Sequence, residues 1–328
     1  MTVTRRSGFG LGVTSAVALA VAGTMPAAAE WKPVKPVEFV VMAGQGGGAD
    51  KLARFIQSII EKNKFAEVPF IPINKGGGSG ADALRYLKDA NGNDHVIMAT
   101  LNSYYTTPLR NPGIGVNIDE FTPIARLAED TFILWVNANS DIKTVDDYMK
   151  IVKEKGTAWK MGGTGTGQED SLVTAMLEKA YGFHVTYVPF KGGGTVAANL
   201  VGGHVDSTVN NPSEAIGFMQ AKKLRPLASL TAEPVEAVGS PPTFKSLGKD
   251  ELVYRMQRSV VAPGGISPDV AAYYVGVFQK VFESQEWKDY CKKNALQCSM
   301  LTGDDLKKYF ADEKASHETL LKEIGEIK

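Results

Sequence analysis

Cysteine and histidine are almost missing from this chain, with two of the first and four of the second in 328 residues. His95, His184, His204 and His317 are scattered and form no H-E-x-x-H pair. Cys291 and Cys298 stand seven residues apart with no histidine near, a poor ligand set for a metal. No metal and no cofactor is therefore expected. In an oxidising compartment the two cysteines could pair, or they could remain buried thiols. G-x-S-x-G is absent and no nucleophile stands beside a base, so catalysis is not expected. The pattern G-x-x-x-x-G-K-[ST] is absent as well, and a permissive G-x-G-x-x-A at 76–81 has no acidic residue closing the next strand to hold a ribose. Basic and acidic side chains number 36 each, which gives no clustered positive surface and no nucleic-acid partner.

Long apolar runs are lacking too. The best candidate, "GFGLGVTSAVALAVAG", falls short of the roughly 18 to 20 residues a membrane span needs. It follows Arg5 and Arg6 and precedes Ala27-Ala28-Ala29, the layout of a secretory signal peptide over residues 1–29, with cleavage at Ala29/Glu30. A membrane anchor is the alternative that the short run argues against. "TRRSGFG" leaves the export route open, and no cysteine follows to carry a lipid. Cleavage removes two of the 36 basic residues and none of the acidic ones, leaving a net charge of −2. The rest is long enough for two domains.

Glycine is what the chain has in quantity, 34 residues, and it is placed with a pattern. "VEFVVMA" reads as a buried strand, "GQGGGAD" as a loop and "KLARFIQSIIEKN" as a helix with one apolar face. "VPFIPIN", "KGGGSG" and "ADALRYLKDA" repeat the order, and "HVIMATLN" adds a third strand. Residues 157–210 do the same: strand, "GGTGTGQED", helix, then "VTYVPF", "KGGG", "TVAANLVGG" and the strand "HVDSTVN". Gly46 to Lys75 spans 29 residues and Gly165 to Lys191 spans 26. Two similar α/β lobes follow, each a mostly parallel sheet flanked by helices. The runs at 131–137 and 254–263 read as the crossings between them. Lobe 1 is expected over 30–131 plus 254–328 and lobe 2 over 132–253. Thr144 and Gly156 read as the cap and stop of a helix between the units. "WKDYCKKN" reads as a helix end and "LQCSML" as a following strand.

A glycine turn between strand and helix suits an anion. The first helical turn has amides without internal partners, the helix dipole adds positive charge, and glycine lets a ligand reach the backbone. The expected ligand-binding residues are Gln45, Gly46, Gly47, Gly48 and Asp50 in the first loop and Gly77, Gly78 and Ser79 in the second. Thr164, Gly165, Thr166, Gly167 and Gln168 form the third, and Lys191, Gly192 and Gly193 the fourth. Asn102, Tyr104 and Asn210 follow third strands, where asparagine also serves as a turn former. Asp50 could equally orient the first loop. Two separated grips favour a ligand charged at both ends, so a dicarboxylate is expected.

The four loops in order, "VVMAGQGGGAD", "INKGGGSGADAL", "GGTGTGQEDSL" and "VPFKGGGTVAANLVGGHVD", resemble the Bug family, periplasmic substrate-binding proteins of tripartite tricarboxylate transporters. The resemblance covers essentially the whole mature chain. It implies a monomeric Venus-flytrap protein that holds an organic carboxylate on main-chain amides and hands it to membrane permease subunits. Carried over by position, the loops are Gln45 to Asp50, Gly76 to Gly80, Thr164 to Gln168 and Lys191 to Gly193. Met42, Gln45, Gly76, Thr166, Gln168 and Glu169 depart from the family pattern and put the ligand's identity in question. Glu169 would repel a carboxylate unless it points away. An aromatic monocarboxylate ligand, a sensor subunit for a signalling receptor, and an exported α/β hydrolase are the competing readings.

Overall fold

The computed structural model describes residues 1–4 and 31–328, so the expected leader lies almost wholly outside the described residues. The strands are β1 (Val37–Val41), β2 (Phe70–Asn74), β3 (Val96–Thr100), β4 (Thr122–Thr131), β5 (Ile133–Asn137), β6 (Lys160–Gly163), β7 (Thr186–Pro189), β8 (Ser207–Asn210), β9 (Leu224–Ser229) and β10 (Arg255–Ala262). The α-helices are α1 (Gly48–Asn63), α2 (Ala81–Asp89), α3 (Ser103–Arg110), α4 (Val145–Lys155), α5 (Glu169–Tyr181), α6 (Gly193–Val201), α7 (Pro212–Gln220), α8 (Pro268–Glu283), α9 (Gln285–Asn294) and α10 (Gly303–Glu323).

The strands form two five-stranded sheets, ordered β2-β1-β3-β10-β4 and β7-β6-β8-β5-β9. In each, the first three strands run parallel and the fourth runs against both its neighbours. That reversed strand is the exchanged one. β5 follows β4 across Phe132 alone, and β10 returns from the second sheet, so each sheet holds one strand from beyond the crossing. The alternation of buried residues fits sheets covered on both faces. Phe39 and Val41 of β1 enter the largest apolar core, while Val40 and Met42 face a second core with Leu84, Met98 and Phe310.

Local signals act as expected at α4: Thr144 Oγ1 accepts from the Asp147 amide at 3.1 Å, and Asp147 accepts from the Thr144 amide at 3.0 Å. Three details differ from the sequence reading. β4 is a full strand ahead of the crossing, over a segment before 131 that carries no strand in the sequence reading. His204 lies in a turn before β8, because the chain reverses at Gly203 (φ +73°). The "LQCSML" segment touches the edge of β4 only at Gln297–Glu129 and Leu301–Arg126. It is bent by Ala295 at φ +56° and tied back to α9 by the Cys291–Cys298 disulfide, so no regular strand develops.

Candidate functional site

The glycine loops of the two sheets meet face to face. The first loop leaves β1 and turns at Gly46 (φ +76°), a conformation that favours glycine. Its shape is fixed by Asp50, which accepts from the Gly46 amide at 2.9 Å and from Arg54 Nε and Asn74 Nδ2. Across the gap, Gly44 packs so closely on the Lys191 carbonyl that a Cβ there would lie 2.0 Å from the oxygen. Ser79 Oγ of the second loop donates to the Thr166 carbonyl of the third at 2.8 Å. Glu214, at the start of α7, accepts from the Gly48 amide at 2.7 Å, and Lys51 Nζ donates to the Ser213 carbonyl at 2.8 Å. Glu169, at the start of α5, accepts from the Ser103 amide and from Ser103 Oγ.

These contacts enclose a cavity of about 40 Å³. Of the residues expected from the sequence, Gly47, Gly48, Thr164, Gln168, Lys191, Gly192 and Gly193 line it. Gly46, Asp50, Gly165, Gly167 and Asn210 are not part of its lining. Asn210 Nδ2 donates to the Gly193 carbonyl at 2.7 Å and so holds the fourth loop. The Gly165 and Gly167 amides are spent on Gln168 Oε1 and Ser171 Oγ of the same loop. Gln45, Gly77, Gly78 and Thr166 are exposed, and Ser79 joins the two rims. Asn102 is fully buried and braces β10, donating to the Arg255 carbonyl and accepting from the Gln257 amide. Tyr104 is packed in the second core with its hydroxyl on the Ile118 carbonyl.

The cavity also carries residues absent from that expectation: Glu169, Asp170, Asn211, Glu214, Met256 and Arg258. Arg258 of β10 pairs with Asp130 of β4, their side chains 2% and 1% exposed, and reaches Asn211 Oδ1 at 3.2 Å. Asn211 Nδ2 in turn donates to the Thr131 carbonyl at 2.6 Å, so the start of α7 is fastened to the crossing. Burial works against the Arg258 charge, but Asp130 beside it more than offsets this and holds its pKa above the ordinary value. Burial raises Glu169 and Glu214 above the usual carboxyl range, and Asp170 well above it, with Glu214 adding repulsion to the last. The sequence held one local signal for α7: Asn211-Pro212-x-Glu214 has the form of a capping box with proline at the first turn.

What the wall offers is amides and carboxylates. Gly192 and Gly193 start α6, and their amides have no acceptor among the described residues. The model of the tripartite tricarboxylate transporter family receptor matches residues 52–326. The chain belongs to that family. A curated relative of this receptor, the UPF0065 protein in the gbd 5' region of Cupriavidus necator, is 23% identical over 316 residues, spanning 96% of this chain and 95% of its own. The receptor shares its fold with the periplasmic binding protein BugD at a TM-score of 0.85 and 19% identity, over 89% of this chain and 98% of that one. It also shares it with Rpa4515 of R. palustris, solved with adipate, at a TM-score of 0.81 and 22% identity, over the same shares of 89% and 98%. The two-lobed architecture of periplasmic binding proteins is thus the architecture of this receptor.

Proposed function

We propose that this receptor captures an organic carboxylate between its two sheets in the periplasm and delivers it to the membrane permease subunits of a tripartite tricarboxylate transporter, without chemical turnover. The observation that carries the reading is the free pair of amides at Gly192 and Gly193, set at a helix start and opposed by the start of α1. The lobes that part and close are 30–131 with 254–328 and 132–253, turning where β4 passes into β5 and where the chain returns to β10. Glycines of the first and fourth loops contact the ligand, and Asp50, Asn210 and Ser79 set the loops. Adipate in a protein of the same fold supports an acid charged at both ends as the first class to try. The protein acts as a monomer after cleavage at Ala29/Glu30. Thermal shift against C4 to C9 dicarboxylates, aliphatic monocarboxylates and aromatic acids tests this. A rise in melting temperature with at least one acid is expected, and unchanged melting across the whole panel refutes carboxylate capture.

A further inference from the structure

The start of α1 already holds a carboxyl, and it is the chain's own. Glu214 Oε1 accepts from the Gly48 amide at 2.7 Å, the first amide of a 16-residue helix. Its other oxygen accepts from the Asn211 amide at 3.2 Å and completes the cap of α7. The carboxyl also lies against Gly193: a Cβ there would run into its Cδ and both oxygens, so only glycine fits. A Cβ on Gly47 would stand 3.7 Å from Glu214 Oε1 and 3.7 Å from the Gly193 nitrogen. The carboxyl and that amide thus border the same point of the first loop.

Other polar groups converge there. A Cβ on Gly48 would stand 2.6 Å from Arg258 Nη2 and 3.4 Å from both Asn211 Oδ1 and Ser213 Oγ. Ser213 Oγ is buried and has no partner among the described residues. Burial raises the pKa of Glu214; the Gly48 amide and Arg258 work against this, Asp130 adds to it and Lys51 opposes it. Glu214 lines the cavity together with Gly48, Gly193 and Arg258, and with its side chain in place only about 40 Å³ is left, room for a few waters. Glu169 on the Ser103 amide differs, because Ser103 is not part of the lining.

Given carboxylate capture, we propose that Glu214 is a tethered competitor of the guest: its carboxyl occupies the place on the Gly48 amide that a carboxylate of the guest takes, and capture exchanges one for the other. The guest's carboxylate meets the Gly48 amide, Ser213 Oγ and Arg258 as Glu214 withdraws. Glu214 thereby sets the affinity threshold, because a group already tethered beside the amide competes at high effective concentration and loses no translational freedom. A purely structural Glu214, serving α7 and the contact between the sheets, would behave in the opposite way, since its removal would loosen the site and weaken the binding of every acid.

Glu214→Ala removes Cγ, Cδ and both carboxyl oxygens, the heavy atoms of one acetate ion, and leaves the donors in place. Thermal shift with acetate, against chloride at the same ionic strength, is the first assay. A saturable rise in melting temperature is expected for Glu214→Ala, and none for the wild type or for Glu214→Gln, which keeps the bulk of the side chain. Titration calorimetry is the second assay: any acid of the C4 to C9 panel that binds the wild type should bind Glu214→Ala about tenfold or more tighter. Circular dichroism checks the fold, and Glu214→Ser, which leaves nearly the same gap, replaces an alanine variant that does not fold. No acetate response in the folded variant, or an equal response in the wild type, overturns the proposal and leaves carboxylate capture to the panel. An acid that binds the variant no tighter than the wild type also overturns it, since Glu214 then does not compete. If the panel moves neither the wild type nor the variant, carboxylate capture falls as well.

Discussion

Gly44→Ala should hold the two lobes apart without unfolding either. Gly44 lies outside the left-handed region, so alanine fits its backbone, but the new Cβ would sit 2.0 Å from the Lys191 carbonyl oxygen and 2.9 Å from its carbon. Both atoms are backbone on the opposing loop, so no side chain can swing away. Ordinary contact begins near 3.4 Å, and the loops must therefore separate by about 1.4 Å. The Gly48 amide to Glu214 bond, 2.7 Å now, stretches to about 4 Å and is lost. A hydrogen bond to a charged group contributes roughly 1.5–3 kcal/mol, so amides protected only by it should exchange with solvent roughly ten- to a hundredfold faster. Hydrogen exchange read at Gly48 and Ser103 is the assay, because both amides are held by carboxylates of the opposite sheet. Exchange in β1 and β6 is the control and should stay as it was. Unchanged protection at Gly48 and Ser103 in the variant would refute the claim that the loops close directly on each other.

Three further outcomes follow from buried charge and cross-linking. Arg258→Met leaves Asp130 buried without its partner and should cost about 3–5 kcal/mol in urea unfolding, most of it restored by adding Asp130→Asn; a neutral single variant would contradict the pairing. Asp170 has a folded-state pKa raised by burial and Glu214, so the folded protein keeps a proton there that the unfolded chain has released. Its contribution to stability is full below about pH 4, the unfolded value, and is lost as pH rises through the folded value. The melting temperature should accordingly fall as pH rises above about 4, and Asp170→Asn should flatten that slope; an equal slope in both proteins counts against it. Replacing Cys291 and Cys298 with serine opens a loop of sequence separation 7 and should cost about 2–3 kcal/mol, with faster exchange at Gln297 and Leu301, whose amides bond to β4.

The repeat was legible because its punctuation is local. A glycine loop declares itself over a few residues, and Lys-Gly-Gly-Gly after an apolar run names the end of a strand and the start of a helix together. The paired lobes, the crossings and the cap at Thr144 were all readable on that scale. Glu214 was not, because its second role depends on Gly48, 166 residues away. As a capping-box residue it looks complete, and nothing nearby shows that one of its oxygens reaches another sheet. Arg258 was hidden for a different reason: nothing in "YRMQRSVVAP" separates it from Arg255, the other arginine of the strand, until β4 brings Asp130 beside it. Glu169 was legible as an acid beside the third loop that has to point away from an anionic ligand, while the Ser103 amide it holds belongs to a helix with no marked signal in the sequence.

The topology explains why these particular side chains converge. β10 and β5 are the exchanged strands, so a residue on β10 beside the crossing faces both sheets. Arg258 stands there, fixed by Asp130 on its own sheet and touching Asn211 on the other. Asn211 begins the helix that carries Glu214, and Glu214 grips the first turn of α1. A continuous line of hydrogen bonds thus runs from the crossing through Asn211 and Glu214 to the first glycine loop. Opening the cleft must break this line at Gly48 or at Arg258. The two breaks differ in cost: Arg258 keeps Asp130 whichever link yields, whereas freeing Gly48 releases a raised-pKa carboxyl that can take a proton or meet a cation. The Gly48–Glu214 link is therefore the cheaper of the two to break.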